Sequence, residues 1–253
     1  MKIVAIIQAR MGSTRLPGKV LADISGSPML KRIIERISVT PHIDQIVLAT
    51  TTSQEDNSLA EWIANNFPQV ECFRGDQFDV LDRFYQCAKL YNGKLIIRVT
   101  ADDPLKDAAI IHRAIEYFFL NPTLDYCSNT IKPTYPEGLD IEVFKYSALE
   151  RAWRESRLPS EREHVTPYIW KNSHLFNIQN FEYTRDLSKW RWTVDKPVDL
   201  IFINIIYQQF IEDPLVNFEK IIKYLDTNPE VSIINNGTVR NEGYLKSTNG
   251  EKI

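Results

Sequence analysis

A chain of 253 residues, 43% of them hydrophobic, can bury a sizeable core, either as one large α/β domain or as two small ones. Its 30 Lys and Arg against 33 Asp and Glu leave a net charge of -3, so no global field attracts a polyanion and nucleic acid is set aside as a main partner. Cys72, Cys87 and Cys127 are too scattered for a disulfide framework or a zinc pair and read as reduced core thiols, and no run of about 18 apolar residues occurs, so the expectation is a cytoplasmic protein that does not enter a membrane.

The first predicted element is a buried strand, Ile3 to Ile7, an unbroken apolar run rich in β-branched residues. It leads into a polar loop carrying Gly12, Ser13, Thr14 and Gly18 among Arg10, Arg15 and Lys19. Glycine lets backbone N–H groups approach an anion, and the cations supply charge-assisted donors, so the loop is suited to wrap phosphates. Residues 1–22 contain Lys2, Arg10, Arg15 and Lys19 but no acid, a local positive site in an acidic chain. It is not a Walker loop: Gly12 and Gly18 enclose five residues, and Val20 stands where a metal-binding hydroxyl would follow the lysine. A surface hairpin rich in arginine is the bland alternative.

Pro28 to Ser38 places Met29, Ile33, Ile34 and Ile37 at helical spacing. Gln45 to Ala49 is a second buried strand, followed by Thr50, Thr51, Thr52 and Ser53. Those hydroxyls can cap the helix from about Asp56 to Asn66, or read a base beyond the strand end. A short strand from Val70 to Phe73 leads into Arg74 and a helix from about Phe78 to Leu90, on which Asp79, Asp82 and Arg83 read as a solvated face. Lys94 to Thr100 is the clearest central strand and delivers Asp102 and Asp103 at its end. Carboxylates beside a phosphate loop suit magnesium, which takes a few oxygens and completes its octahedron with phosphate and water. Asp102 is the first candidate ligand, whereas Asp103 can simply begin the helix from about Asp107 to Leu120.

From Asn121 the alternation breaks down, and Pro122, Pro133 and Pro136 mark an irregular excursion over about 128–183. Glu137, Asp140 and Glu142 lie on a turn into a strand, with Asp140 and Glu142 sharing one face, so they bind the hydroxyls of an acceptor or form the wet side of an edge strand. After a helix from about Ser147 to Ser156, Ser160 and Glu163 fit a capping box, and Arg162 and His164 are candidate acceptor contacts. Phe176 to Tyr183 reads as a strand, in a dimer arm if the protein is a homodimer. Trp190 to Val194 then returns to the core pattern before a helix opened by Pro197, and Asp213 to Leu225 is a final helix. A single domain over 1–234 is expected, with 235–253 a polar, mobile tail.

The stretch QARMGSTRLPGKVL, Gln8 to Leu21, resembles the N-terminal signature of the nucleotide-sugar cytidylyltransferases, the family of the 3-deoxy-manno-octulosonate and acylneuraminate enzymes. It is most similar to the branch associated with spore-coat polysaccharide biosynthesis. The resemblance runs to about residue 210 and implies an α/β, Rossmann-like, mostly parallel sheet flanked by helices, with an inserted dimerisation excursion. It also implies CTP as donor, with Gln8, Ala9, Thr51 and Arg74 near the nucleotide. The segment Val194, Asp195, Lys196, Pro197, Val198, Asp199 is similar to a family segment whose first aspartate is a second Mg²⁺ ligand, which would be Asp195. On the residues alone, an ordinary N-cap before Pro197 is the favoured reading of Asp195.

These parts suggest direct transfer: an acceptor oxygen attacks the α-phosphorus of CTP and pyrophosphate leaves, with no covalent enzyme intermediate, because no Ser or Cys sits in a nucleophile elbow. Arg10, Lys19 and the backbone at Gly12 and Ser13 would hold phosphates, Asp102 and Asp195 the metal, and a small anionic acceptor would complete the reaction. A metal-dependent glycosyltransferase, a uridylyl- or guanylyltransferase and a non-catalytic nucleotide-binding protein are the competing classes.

Overall fold

The computed structural model describes residues 1–13, 15–249 and 251. Strand β1 (Ile3–Gln8) pairs in parallel with β4 (Gln45–Thr51) on one side and β6 (Leu95–Thr100) on the other. A strand so enclosed has no wet face, which accounts for its unbroken apolar run. Ile3, Ala5 and Ile7 enter one hydrophobic layer and Val4 and Ile6 the opposite one, following the two-residue period of the pleat.

Between β1 and β4 lie a small hairpin, β2 (Asp23–Ile24) and β3 (Ser27–Pro28), and α1 (Met29–Ser38). Helix α2 (Asn57–Asn66) leads to β5 (Glu71–Gly75), which pairs in parallel with β4, and α3 (Val80–Leu90) leads to β6. After α4 (Ala108–Leu120) the chain forms β7 (Tyr126–Ser128) and β8 (Glu142–Lys145), and β8 joins β6 and β7 antiparallel to both. Three helices, α5 (Tyr146–Glu155), α6 (Pro159–His164) and α7 (Pro167–Lys171), precede β9 (Ile178–Asn180). The chain ends in α8 (Pro197–Gln209), α9 (Phe218–Thr227), α10 (Pro229–Ser232) and α11 (Glu242–Thr248). The seven-stranded order is β5-β4-β1-β6-β8-β7-β9, so the excursion extends the same sheet.

Several expectations shift. The segment 176–183 supplies only β9, which lies along β7 at the sheet edge and does not project as an arm. Trp190 to Val194 is irregular, touching the rest through an isolated bridge between Glu137 and Arg191. Glu163 does not cap α6: the Glu161 carboxylate accepts from Leu158 N–H at 3.4 Å, and Ser160 is buried against Glu251. The polar stretch expected as a mobile tail carries α11 against α6, tied by side-chain contacts that apolar periodicity does not register. Among the described residues, no helix is long and apolar enough to cross a membrane.

Candidate active site

The parallel strands β1, β4 and β6 end on one rim, where the chain turns into its polar loops. The loop after β1 is held from beneath by Asp56, a carboxylate 2% exposed, which accepts from Met11 N–H at 2.7 Å and from the N–H and hydroxyl of Thr51. Met11 in turn accepts from Ser13 N–H and Gly18 N–H through its carbonyl. Gly18 sits at φ 68°, in the left-handed region that glycine enters without strain. The Ser13 N–H, expected to face phosphate, is therefore turned inward, while Arg10 is exposed at the loop's edge.

Lys19 leaves this loop and reaches across the rim. Its ammonium donates to Asp102 Oδ2 at 3.0 Å, to Asp195 Oδ1 at 2.8 Å and to the Val194 carbonyl at 2.8 Å. Burial alone would lower its pKa, but the two carboxylates more than offset this and raise it, so Lys19 is a fixed cation. Burial would raise Asp102, but Lys19 holds it below the usual carboxylate range. Asp195 also accepts from Arg15 at 2.7 Å and from Arg191 at 2.8 Å. It is not the cap of α8: the N-cap residue is Lys196, and Asp199 accepts from the N–H groups of Asp195 and Lys196. Asp103 does not cap α4 either, because Asp107 does so; Asp103 pairs with buried Lys106 at 2.8 Å.

No group of three or more His, Cys, Asp or Glu that could hold a metal occurs among the described residues. A magnesium ion that fills most of its octahedron with phosphate and water needs less. Because Asp102 and Asp195 share one ammonium, their bonded oxygens lie within about 6 Å of each other, whereas one Mg²⁺, binding oxygens at about 2.1 Å, spans about 4.2 Å at most, so both would hold it only after turning toward each other. The chemistry of the donors, two carboxylates facing one cleft, suits magnesium.

Two cavities meet here, one of about 250 Å³ and one of about 470 Å³, sharing Gln8, Arg15, Thr100, Asp102, His164 and Asp195. The smaller is lined by Ala9, Arg10, Gly12, Ser13 and Lys19, and also by Arg83. The larger takes in Glu137, Asp140 and Glu142, together with Arg98, Trp170, Asn241, Glu242 and Tyr244. Burial pushes the Asp140 carboxyl up to about 6 despite its pairing with Arg240. His164, which bonds Ser247 Oγ at 3.0 Å, is held below its ordinary pKa by burial and then by nearby Arg98.

Three expected contacts line neither cavity. Thr51 is buried and its hydroxyl is given to Asp56. Arg74 donates to the Thr51 and Ser53 carbonyls and to Asn57, tying β5 to the turn after β4. Arg162 is paired with Asp79 and the Trp153 carbonyl. Conversely Arg83, expected on a solvated face, is 2% exposed, and its Nε has no partner among the described residues. Burial, then Arg10, lowers its pKa to about 10. The signal was present: Val80, Arg83 and Cys87 are at helical spacing, so Arg83 lies in the apolar stripe.

A family model described as cytidylyltransferase matches residues 4–230. The chain belongs to the cytidylyltransferase family. It is a nucleotidyltransferase. A cytidylyltransferase from Leptospira borgpetersenii superimposes with a TM-score of 0.88 at 33% identity, covering 94% of this chain and 99% of that one. The spore coat polysaccharide biosynthesis protein SpsF of Bacillus subtilis is 31% identical over 91% of this chain and 96% of its own length. The 3-deoxy-manno-octulosonate cytidylyltransferase of Trichlorobacter lovleyi is 37% identical, but over 49% of this chain and 48% of its own. A CMP-2-keto-3-deoxy-manno-octonic acid synthetase solved with CTP shares the fold, with a TM-score of 0.64 at 18% identity. Within this cytidylyltransferase, residues 241–244, which line the larger cavity, lie beyond the part the family model covers.

Proposed function

We propose that this cytidylyltransferase transfers CMP from CTP to a small anionic acceptor, an acidic sugar or a phosphorylated or phosphonate compound, with release of pyrophosphate and dependence on Mg²⁺. The names of its relatives favour a place in cell-surface polysaccharide or glycoconjugate synthesis. The observation that carries the reading is the ammonium of Lys19, which joins the glycine loop to the carboxylates of Asp102 and Asp195 at the junction of two cavities.

In this reading the smaller cavity holds the nucleotide and the larger one the acceptor. Arg10, Arg83 and Lys19 bind the triphosphate, and an acceptor oxygen comes in line to the α-phosphorus as the bond to the β-phosphate breaks. Asp102 and Asp195 would hold Mg²⁺, which supplies charge neutralisation on the phosphates and acidifies an acceptor hydroxyl. His164 lines both cavities with a ring kept neutral, so it is placed to take the proton of an acceptor hydroxyl. An acceptor that attacks through an ionised phosphate or phosphonate oxygen needs no such base.

The test is pyrophosphate release by purified protein with each of the four nucleoside triphosphates, Mg²⁺ and a panel of sugar acids, sugar phosphates and phosphonates. Release is expected with CTP, lost without Mg²⁺ and lost in Asp102→Asn, with the circular dichroism spectrum unchanged. A preference for another nucleotide, or full activity of Asp102→Asn, would remove the proposal.

A further inference from the structure

Seven carboxylates line the larger cavity, with two arginines, Arg15 and Arg98, and His164. The cations that compensate the deeper acids stand behind them: Arg191 pairs with Glu137, Arg240 with Asp140 and Lys106 with Asp103. Arg15 has both terminal nitrogens committed, one to Asp195 and one to Glu242. His164 is held neutral. Arg98 differs. Its Nε donates to Gln8 Oε1 at 3.1 Å and its Nη1 to Glu142, while Nη2 has no hydrogen-bond partner among the described residues.

The side chain is also prepared in advance. Arg98 projects from the central strand β6, in register with Ile6 of β1 and Glu142 of β8, so rigid backbone flanks it on both sides. Glu142 is fixed by the hydroxyls of Tyr126 and Thr166 as well as by Arg98, which leaves the guanidinium little freedom to rotate. Its side chain is 14% exposed, low enough that an anion meeting it is largely desolvated. Thr100, two residues along the same strand and so on the same face, lines the same cavity, and Asp102 follows at the strand end. Arg98 is absent from the lining of the smaller cavity, where the glycine loop lies.

We propose that Arg98 is the residue that anchors the negatively charged group of the acceptor, making the larger cavity selective for a polyhydroxylated anion whose hydroxyls face the surrounding carboxylates. The inference rests on the assignment of the two cavities made above. A neutral polyol would offer Arg98 a hydroxyl oxygen but no negative charge, and a cationic one would meet it as a like charge, so discrimination against both follows from a single residue.

The experiment is calorimetric binding to protein loaded with Mg²⁺ and the α,β-methylene analogue of CTP. The probes are matched pairs: sugar acids against their methyl esters, and sugar phosphates against the parent sugars. At least one acid or phosphate should bind at least about 30-fold more tightly than its neutral partner, the scale of a desolvated charge-assisted contact from Nη2. Arg98→Gln should erase that ratio while leaving affinity for the CTP analogue within about twofold, and Arg98→Lys should restore part of it. Because Arg98→Gln strips buried Glu142 of its cation, the double variant Arg98→Gln, Glu142→Gln is measured alongside and should show the same loss of discrimination.

Neutral members binding best, no member binding to analogue-loaded protein, or an unchanged ratio in Arg98→Gln and in the double variant would each overturn the proposal. So would parallel loss of analogue affinity in both variants, which would move Arg98 to the nucleotide. If the unaltered protein does not bind the CTP analogue at all, the assignment of the smaller cavity fails instead.

Discussion

At the scale of single residues, Lys19 connects segments far apart in the chain: its partners Asp102 and Asp195 lie 83 and 176 positions away. Replacing it removes a phosphate donor and leaves two carboxylates facing each other without their shared cation. Lys19→Ala is therefore expected to lower kcat/KM by about 100-fold or more, the scale of losing a preorganised charged donor. Steady-state pyrophosphate release measures it, and an unchanged kcat/KM would take Lys19 out of the phosphate site. Gly138 is a second such position, for a steric reason. At φ 108° an added Cβ would stand 2.6 Å from the Trp192 carbonyl carbon and 2.7 Å from the Thr193 nitrogen, both backbone atoms. Gly138→Ala should cost about 2–4 kcal/mol of stability, read from urea denaturation, and an unshifted midpoint would show that the turn relaxes freely.

At the scale of elements, the segment from Arg240 through α11 forms the outer wall of the larger cavity, although α11 buries no residue of its own. Its attachments are polar: Arg240 to Asp140, Asn241 N–H to Glu137 at 2.8 Å, Glu242 to Arg15 and Ser247 to Glu163 and His164. Tyr244 adds edge-on contacts with His164 and Trp170. The exposed ones, Glu242 with Arg15 and Ser247 with Glu163, contribute about 0–1 kcal/mol each, and α11 places no residue in the core, so the fold should survive its loss. A chain ending at Asn236 is expected to keep its affinity for CTP and to raise the acceptor KM about tenfold or more; an unaltered KM would mean the wall plays no part in acceptor binding. Acid should loosen the same wall. Asp140 titrates near 6 in the folded protein, facing Arg240, Lys106, Asp103 and Glu137, so protonation below that value weakens its hold on Arg240. Amide protection factors across 240–248, corrected for the slower intrinsic exchange in acid, should be lower at pH 5.5 than at pH 7.5, and equal factors would count against the attachment.

For the whole molecule, the rim where β1, β4 and β6 end gathers charge that the rest of the chain must support. Asp102 and Asp199 are held below the usual range for aspartate by Lys19 and Arg191, and Glu142 below that for glutamate by Arg98, although burial opposes each. Groups with depressed folded pKa values contribute stability above their unfolded values of 3.8 and 4.5, and lose it as pH falls through the folded ones. Asp140 runs the other way: from about 4 to about 6 the folded state binds the proton more tightly, so its contribution falls as pH rises. Urea midpoints should therefore drop steeply below about pH 4.5. A flat profile to pH 3 would show that these pairs do not support the fold.

The sequence alone determined the frame and the loop. A short apolar run with no alternation and many β-branched residues suits a strand covered on both faces, and the helices α1, α3 and α4 repeat their apolar residues at 3.6, because both signals are carried by neighbours in the chain. The glycine loop and its cations were legible for the same reason, as was Asp102 at the end of its strand, whereas Asp195 was singled out only by the family resemblance of its segment and read by itself as an N-cap. Tertiary structure alone decided which polar side chains were free. Thr51, Arg74 and Arg162 have the right chemistry for a ligand, yet each is spent on a partner that packing brings up, in the case of Arg162 one 83 residues away. Arg98 and the segment 240–244 became part of the cleft because buried hydrogen bonds must be closed by whichever donors and acceptors the fold places together, and a local pattern carries no record of that choice.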